Sequence, residues 1–305
     1  MTTGSRIVAA AAVVAATLAA SAVASAQQDP SKPDSSGYIA ANGVNYWFEI
    51  HGRGEGTPLV LLHGGLMWTQ AFGPTIAELA KTRRVIGIDL QGHGHTSLGR
   101  PTIRYADLGR DLAVVIQMLG LSQVDAMGYS FGGGVALQLA FQHPSLVRRL
   151  VVLSAPYAST GFFPEMRPQQ AAVGAAMFDA MKETPMYKGY IAIAPRPQEF
   201  PTLLDAMGEL MRTPYDWSAQ VKQLTMPVLL VFGDADMITP EHIVDFYKLL
   251  GGGQRDAGWM REHMSKNRLA IIPDLTHYEA GDSPLLVPTV LPFLNATGSG
   301  ESPRR

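Results

Sequence analysis

The chain contains no cysteine. That absence excludes disulfides, cysteine-ligated zinc and a thiol nucleophile. Charge is scarce as well: Asp, Glu, Lys and Arg make up 16% of the 305 residues and leave a formal net charge of −2. So small an imbalance offers nothing to nucleic acid or to an anionic membrane. No G-x-G-x-x-G stands between a strand and a helix, so no dinucleotide is expected. His93 and His95 are close in sequence, but no third ligand follows at a fitting spacing, so neither metal nor other cofactor is expected. No internal repeat is present, and nothing specifies an oligomeric state.

Long apolar runs are also missing, with one exception. Arg6 is followed by an apolar stretch over residues 7–20, and Ala24-Ser25-Ala26 then precedes Gln27. A basic start, an apolar centre and a small-x-small site read as a secretory signal peptide over residues 1–26. The run falls short of the roughly 20 residues that a membrane span needs, so no anchor is expected after cleavage. Residues 27–37, polar and rich in Pro and Ser, read as a flexible lead-in. The expected location is periplasmic or secreted.

What remains is 47% hydrophobic and long enough to bury a sizeable core. Residues 38–51 alternate around Asn42-Gly43, as an antiparallel hairpin does. Continuous apolar runs at 58–62, 84–88, 124–129, 147–153, 228–232 and 269–272 read as strands buried on both faces. Helical spacing appears at 72–80, 105–119, 131–142 and 241–250, the last started by Thr239-Pro240. Residues 256–265 suggest a short surface helix, and residues 283–294, with three prolines, a broken or kinked one. Residues 296–305 read as a disordered tail. Strands alternating with helices predict an α/β fold with a doubly wound, mostly parallel sheet. The alternation stops over residues 156–225, where helical pieces near 169–182 and 201–211 accompany six of the fourteen methionines.

Ligands in such sheets sit beyond the carboxyl ends of the strands, where His63, Asp89, Ser130 and Ser154 fall. The stretch around Ser130 is the most informative. A strand runs into Gly128-Tyr129-Ser130-Phe131-Gly132, and a helix follows at once. This G-x-S-x-G sits in the strand–turn–helix context that exposes a serine hydroxyl on a strained turn. Side chains at Gly128 and Gly132 would collide with their neighbours there.

With these residues the chain resembles the α/β-hydrolase superfamily, and more specifically its serine esterases. The resemblance implies a helical cap over residues 156–225, inserted after the sixth strand, with the core formed by residues 38–155 and 226–295. It also implies a triad in the chain order Ser, acid, His. Phe232-Gly233-Asp234-Ala235-Asp236-Met237-Ile238-Thr239-Pro240 resembles the family's G-x-x-D-x-x-x-P and aligns Asp236 as the acid, with Asp234 as the competing candidate. His277 follows the last strand and has the chain order expected of the base. Among the other histidines, His51, His143, His242 and His263 read as structural or solvated, His63 as packing beneath the oxyanion loop. His93 and His95 belong to a loop resembling D-x-x-G-x-G-x-S.

Backbone N–H groups of Phe131 and of Gly65, or Leu66 if the loop is offset by one, would hold an oxyanion. Ser130 in place of Asp departs from the family's dehalogenases and epoxide hydrolases. Leu66-Met67 departs from the H-G-G-P-G of its proline iminopeptidases. The resemblance therefore implies a carboxylesterase acting on a small, apolar ester. A lactonase, perhydrolase, acyltransferase or C–C hydrolase could use the same triad, and a non-catalytic binding protein could use the same scaffold.

Overall fold

The computed structural model describes residues 32–296. The expected signal peptide and nearly all of the expected tail lie outside the described residues. Eight strands form one sheet: β1 (Ser35–Ala41), β2 (Val44–His51), β3 (Leu59–Leu62), β4 (Val85–Ile88), β5 (Val124–Tyr129), β6 (Val147–Leu153), β7 (Val228–Ala235) and β8 (Arg268–Thr276). Their spatial order is β1-β2-β4-β3-β5-β6-β7-β8. Strands β3 to β8 are mutually parallel, and only β1 and β2 run against their neighbours. The β1–β2 hairpin turns through Asn42 and Gly43, both at positive φ (48° and 86°), the two-residue turn whose twist suits adjacent strands. Strand β1 begins at Ser35, so the lead-in expected over 27–37 gives up its last three residues to the sheet. Ladder hydrogen bonds, together with Asp34 N–H donating to the Ile50 carbonyl, override its polar composition.

Ten α-helices are present among the described residues: α1 (Pro74–Ala80), α2 (Tyr105–Met118), α3 (Phe131–Gln142), α4 (Met166–Ala171), α5 (Phe178–Met181), α6 (Pro185–Ile193), α7 (Phe200–Arg212), α8 (Ser218–Val221), α9 (Pro240–Leu249) and α10 (Leu286–Leu294). Helices α1 and α10 bury Ile76, Leu79, Leu286, Val290 and Leu294 against one face of the sheet. Helices α2, α3 and α9 bury Leu108, Leu112, Val135, Leu139, Ile243 and Phe246 on the other. Helix α3 is so enclosed that residues Phe131 to Ala140 are all buried, which explains why it carries no polar stripe.

Helices α4 to α8 lie between β6 and β7 and form the cap. Helix α7 packs Phe200, Leu203, Leu204 and Met207 into the same apolar cluster as the core face below.

Three local expectations are corrected. The helical piece expected over 169–182 is two short helices, α4 and α5, because Gly174 between them is extended. Residues 256–265 form turns, not a helix. Gly258 and Arg261 sit at φ 80° and 62°, and the segment is largely exposed, with no apolar face to bury. Residues 286–294, by contrast, make one continuous helix despite two prolines. Pro288 occupies the third helical position, where an N–H would lack an intrahelical acceptor in any case. Pro292 faces the carbonyl four residues back, so this helix loses one bond and does not end.

Candidate active site

Strand β5 delivers Ser130 to the carboxyl edge of the sheet. Ser130 has φ 52° and ψ −115°, a strained conformation for a residue with a side chain. Two glycines make the turn possible. A Cβ at Gly128 would lie 2.1 Å from the Gly132 carbonyl oxygen, and one at Gly132 would lie 2.5 Å from the carbonyl oxygens of Leu62 and His63. Backbone atoms cannot swing aside as a side chain would, so strand β3, the turn and α3 can approach only with glycine at both positions. Ser130 N–H donates to the Leu153 carbonyl at 2.8 Å, which fastens the turn to β6.

The acid and the imidazole are brought level by an irregularity between the last two strands. Gly233 of β7 pairs with Ile272 of β8, but Ala235 pairs with Thr276. The extra residues of β8 bulge out, with Asp274 at φ 55°. The next residues after that pair are Asp236 and His277. His277 Nδ1 lies 2.9 Å from Asp236 Oδ1, and His277 Nε2 lies 2.9 Å from Ser130 Oγ. Asp236 accepts only, so Nδ1 carries the proton and Nε2 is free to accept from the serine hydroxyl. Asp236 and His277 are both buried. Asp234 is exposed instead, and its Oδ1 accepts the Leu275 N–H at 3.3 Å. Of the two candidate acids, only Asp236 reaches the imidazole.

Tyr129 escaped the sequence reading. Its buried phenol donates a short hydrogen bond to the His277 backbone carbonyl. Its ring stands 5.6 Å from the imidazole. Burial, reinforced by the charge of Asp236, pushes the phenol pKa up, so it stays a proton donor. The residue before Ser130 therefore holds the backbone of His277. No signal in the sequence distinguishes that phenol from a core aromatic.

Opposite the imidazole, the loop after β3 runs through Gly64, Gly65 and Leu66, the last at φ 56°. A Cβ at Gly65 would lie 3.8 Å from Phe131 Cβ and 3.1 Å from Met207 Cε, so Gly65 adjoins Phe131 beneath a methionine of α7. Among the described residues no backbone carbonyl takes the N–H of Gly65, Leu66 or Phe131.

Neutral histidines pack the floor of this loop. His63 Nδ1 bonds the Gly64 carbonyl and Nε2 accepts the Leu90 N–H. Burial lowers the pKa of His63. Burial, and then His63 itself, lower that of His93 to about 3. The His93 ring stacks on Phe131 at 5.4 Å. His95 bonds the buried Asp89. Burial favours the neutral acid at Asp89, but hydrogen bonds from His95 and Thr69 outweigh it and hold its pKa below the ordinary value. Ser154 is buried at φ 50° and its hydroxyl has no partner among the described residues.

With the Ser130–His277–Asp236 geometry and sheet order in hand, comparison with known proteins identifies the fold. The family described as alpha/beta hydrolase fold matches residues 57–185.

The chain has the α/β-hydrolase fold.

Its fold is similar to a carboxylesterase from Bacillus subtilis (TM-score 0.66, 21% identity, 86% of this chain and 91% of that one). It is equally similar to an enol-lactonase from Burkholderia xenovorans LB400 (TM-score 0.66, 19% identity, 85% and 100%). At such identities the likeness establishes the fold alone. In sequence, the chain is 37% identical over 129 residues to the 2-hydroxymuconate semialdehyde hydrolase of Pseudomonas sp. (strain CF600). That match covers 41% of this chain and 45% of the relative, so the chain spans less than half the length of the curated relative it matches.

Proposed function

We propose that the protein is a serine hydrolase that cleaves carboxylic esters through an acyl-enzyme intermediate. One observation carries this reading: the His277 imidazole bridges Ser130 Oγ and Asp236 Oδ1 at 2.9 Å each. Serine is a weak nucleophile at neutral pH and needs a base within hydrogen-bond reach. As Ser130 Oγ attacks the ester carbonyl carbon, its proton passes to His277 Nε2. Asp236 keeps Nδ1–H oriented and stabilises the imidazolium that forms. The carbonyl oxygen becomes an anion, and the N–H groups of Gly65 and Phe131 hold it. His277 then gives its proton to the leaving alkoxide. Water, deprotonated by the same nitrogen, attacks the acyl carbon and releases the acid and the serine.

The apolar surroundings support an apolar substrate. Met207 is buried and its methyl overlies Gly65, so the first group the cap presents to a bound carbonyl is a thioether, soft and adaptable in shape. A hydrolysis screen of 4-nitrophenyl esters graded in acyl length tests the reading, with Ser130→Ala as control. Rates at the level of that control on every ester would sink it.

A second reading follows from the 37% identity to a 2-hydroxymuconate semialdehyde hydrolase. The same triad would then serve C–C cleavage, and 2-hydroxymuconate semialdehyde belongs in the screen. Turnover of that compound alone would replace the esterase reading. Export to the periplasm or medium is part of the proposal, and it rests on the pattern of Arg6, the apolar run and Ala24-Ser25-Ala26. Mass spectrometry of the mature protein should find Gln27 at the N-terminus. A chain that retains residues 1–26 would refute it.

A further inference from the structure

Strand β8 ends the sheet and pairs with β7 on one side only. Its regular stretch is residues 268–272, after which Pro273 lacks an N–H and Asp274 turns to φ 55°. An unpaired edge offers its N–H and C=O groups to any second strand, unless charge or a covering segment blocks it. Leu269, Ala270 and Ile271 carry no charge, and Ile271 is 47% exposed.

The turn that leads into β8 carries the two most exposed large apolar side chains among the described residues, Trp259 (97%) and Met260 (77%). Gly258 and Arg261 stand on either side at positive φ, and Arg261 N–H donates to the Gly258 carbonyl, so the pair sits at the tip of the turn. A lone exposed apolar residue is ordinary, but a bare indole and a bare thioether beside an open strand edge mark a surface that is covered in use. An apolar hollow of about 260 Å³ lies between α9 and β8 on the same flank, with Val244, Leu269 and Ile271 among its walls. It reaches Gly233 and Ile238, toward the carboxyl ends of the strands, whereas the Trp259 turn enters β8 at its amino end.

Charge is divided along this edge in the same sense. Residues 254–268, at the amino end, hold four Lys or Arg against two acids. Residues 269–282 hold three acids and no Lys or Arg, and the exposed Asp234 lies beside them, its Oδ1 accepting the Leu275 N–H. Burial lowers the Arg268 pKa, and the like charge of Arg261 adds to the effect while Tyr247 opposes it. A second β8 running parallel sets like charge beside like. One running antiparallel sets the basic end of each copy against the acidic end of the other.

We propose that this edge is the interface of a two-fold symmetric homodimer, with the β8 strands of two copies paired antiparallel about Ala270. That register sets Leu269 of each copy opposite Ile271 of the other, on the face that adjoins the hollow. The same rotation carries the turn at the amino end of one β8 to the carboxyl end of the other. There the Trp259 indole covers the hollow beside Val244, and Arg261 faces Asp234. Because the patch is self-complementary, the contact closes on itself at two copies. The inference rests on the sheet edge and its surface, and is independent of the chemistry at Ser130.

Sedimentation velocity of the full chain over a dilution series should show one monomer–dimer transition. Trp259→Ser alters a fully exposed side chain and keeps the fold, and Ile271→Lys puts a cation on the edge. Each should raise the dissociation constant about tenfold or more. Arg261→Asp should weaken the dimer as well, and adding Asp234→Arg to the same chain should restore it. A chain that is monomeric at every concentration, or a dimer indifferent to both Trp259→Ser and Ile271→Lys, would overturn the interface. Failure of the double charge reversal to recover the dimer would overturn the antiparallel alignment. A monomer that sediments with phosphatidylglycerol vesicles only while Trp259 is intact would give this surface to lipid and overturn the dimer too.

Discussion

At the scale of single residues, the roles of Asp234 and Asp236 are separable. Both follow the same buried strand, and the resemblance to G-x-x-D-x-x-x-P aligns Asp236 as the acid, with Asp234 as its competitor. The register shift between β7 and β8 distinguishes their positions, because it sets Ala235 opposite Thr276 and so makes Asp236 and His277 neighbours. That shift depends on a bulge with Asp274 at positive φ, which no local pattern announces. Asp236→Asn should lower kcat by roughly 10⁴-fold, since an amide can favour the wrong tautomer of His277. Asp234→Asn should keep kcat within a few-fold of the parent. Steady-state ester hydrolysis by the two variants checks this, and the opposite ranking would reassign the acid. Tyr129→Phe removes the hydrogen bond to the His277 carbonyl. A bond of this kind contributes about 0.5–1.5 kcal/mol. If the phenol positions the base, kcat should fall about three- to tenfold at constant KM. A purely structural phenol would lower the melting temperature and leave kcat alone.

At the scale of elements, the parallel strands were legible because each is a short continuous apolar run, and the hairpin because Asn42-Gly43 suits its turn. The cap was less legible. Helix α6 begins with Thr184-Pro185, the same start signal as Thr239-Pro240 at α9, and in both the threonine side chain accepts an N–H of the first turn. At α6 that start signal stands in irregular sequence, which hides the helix that follows. The cap is joined to α9 by His242. Its Nε2 accepts the Tyr157 N–H at 3.2 Å, and its ring stacks on Tyr157 at 3.9 Å. Burial pushes the His242 pKa from 6.5 down to about 4. Between those two values the unfolded chain binds the proton and the folded chain does not, so stability falls as pH drops from about 6.5 toward 4. His93, pushed down to about 3, adds to the same trend. Urea midpoints at pH 7 and pH 4.5 should therefore differ. The difference should shrink in His242→Phe, which keeps the stacking and cannot titrate. An unchanged difference would remove His242 from this account.

At the scale of the whole molecule, the sheet separates chemistry from anchorage. Ser130, Asp236 and His277 gather at the carboxyl edge. Near the other end of β5, the buried Asp125 bonds Arg83 at 2.9 Å and Arg148 at 2.6 Å. Those arginines in turn reach Asn295 and the Leu294 carbonyl, tying α10 to the sheet. Burial raises the Asp125 pKa against the pull of the two guanidiniums. Asp125→Ala leaves buried positive charge unpaired and should cost about 3–5 kcal/mol of stability. It should leave kcat/KM for the best ester unchanged, because it removes nothing near Ser130. Denaturant unfolding and ester kinetics on one sample test both halves, and a loss of activity in fully folded protein would contradict the separation.

The central claim is that Ser130 is an activated nucleophile. Its most direct test is labelling of the intact protein with a fluorophosphonate, followed by mass mapping of the modified peptide. A single adduct on Ser130, absent in Ser130→Ala and strongly slowed in His277→Ala, is the predicted result. No adduct, or an adduct on another residue that survives Ser130→Ala, would contradict it.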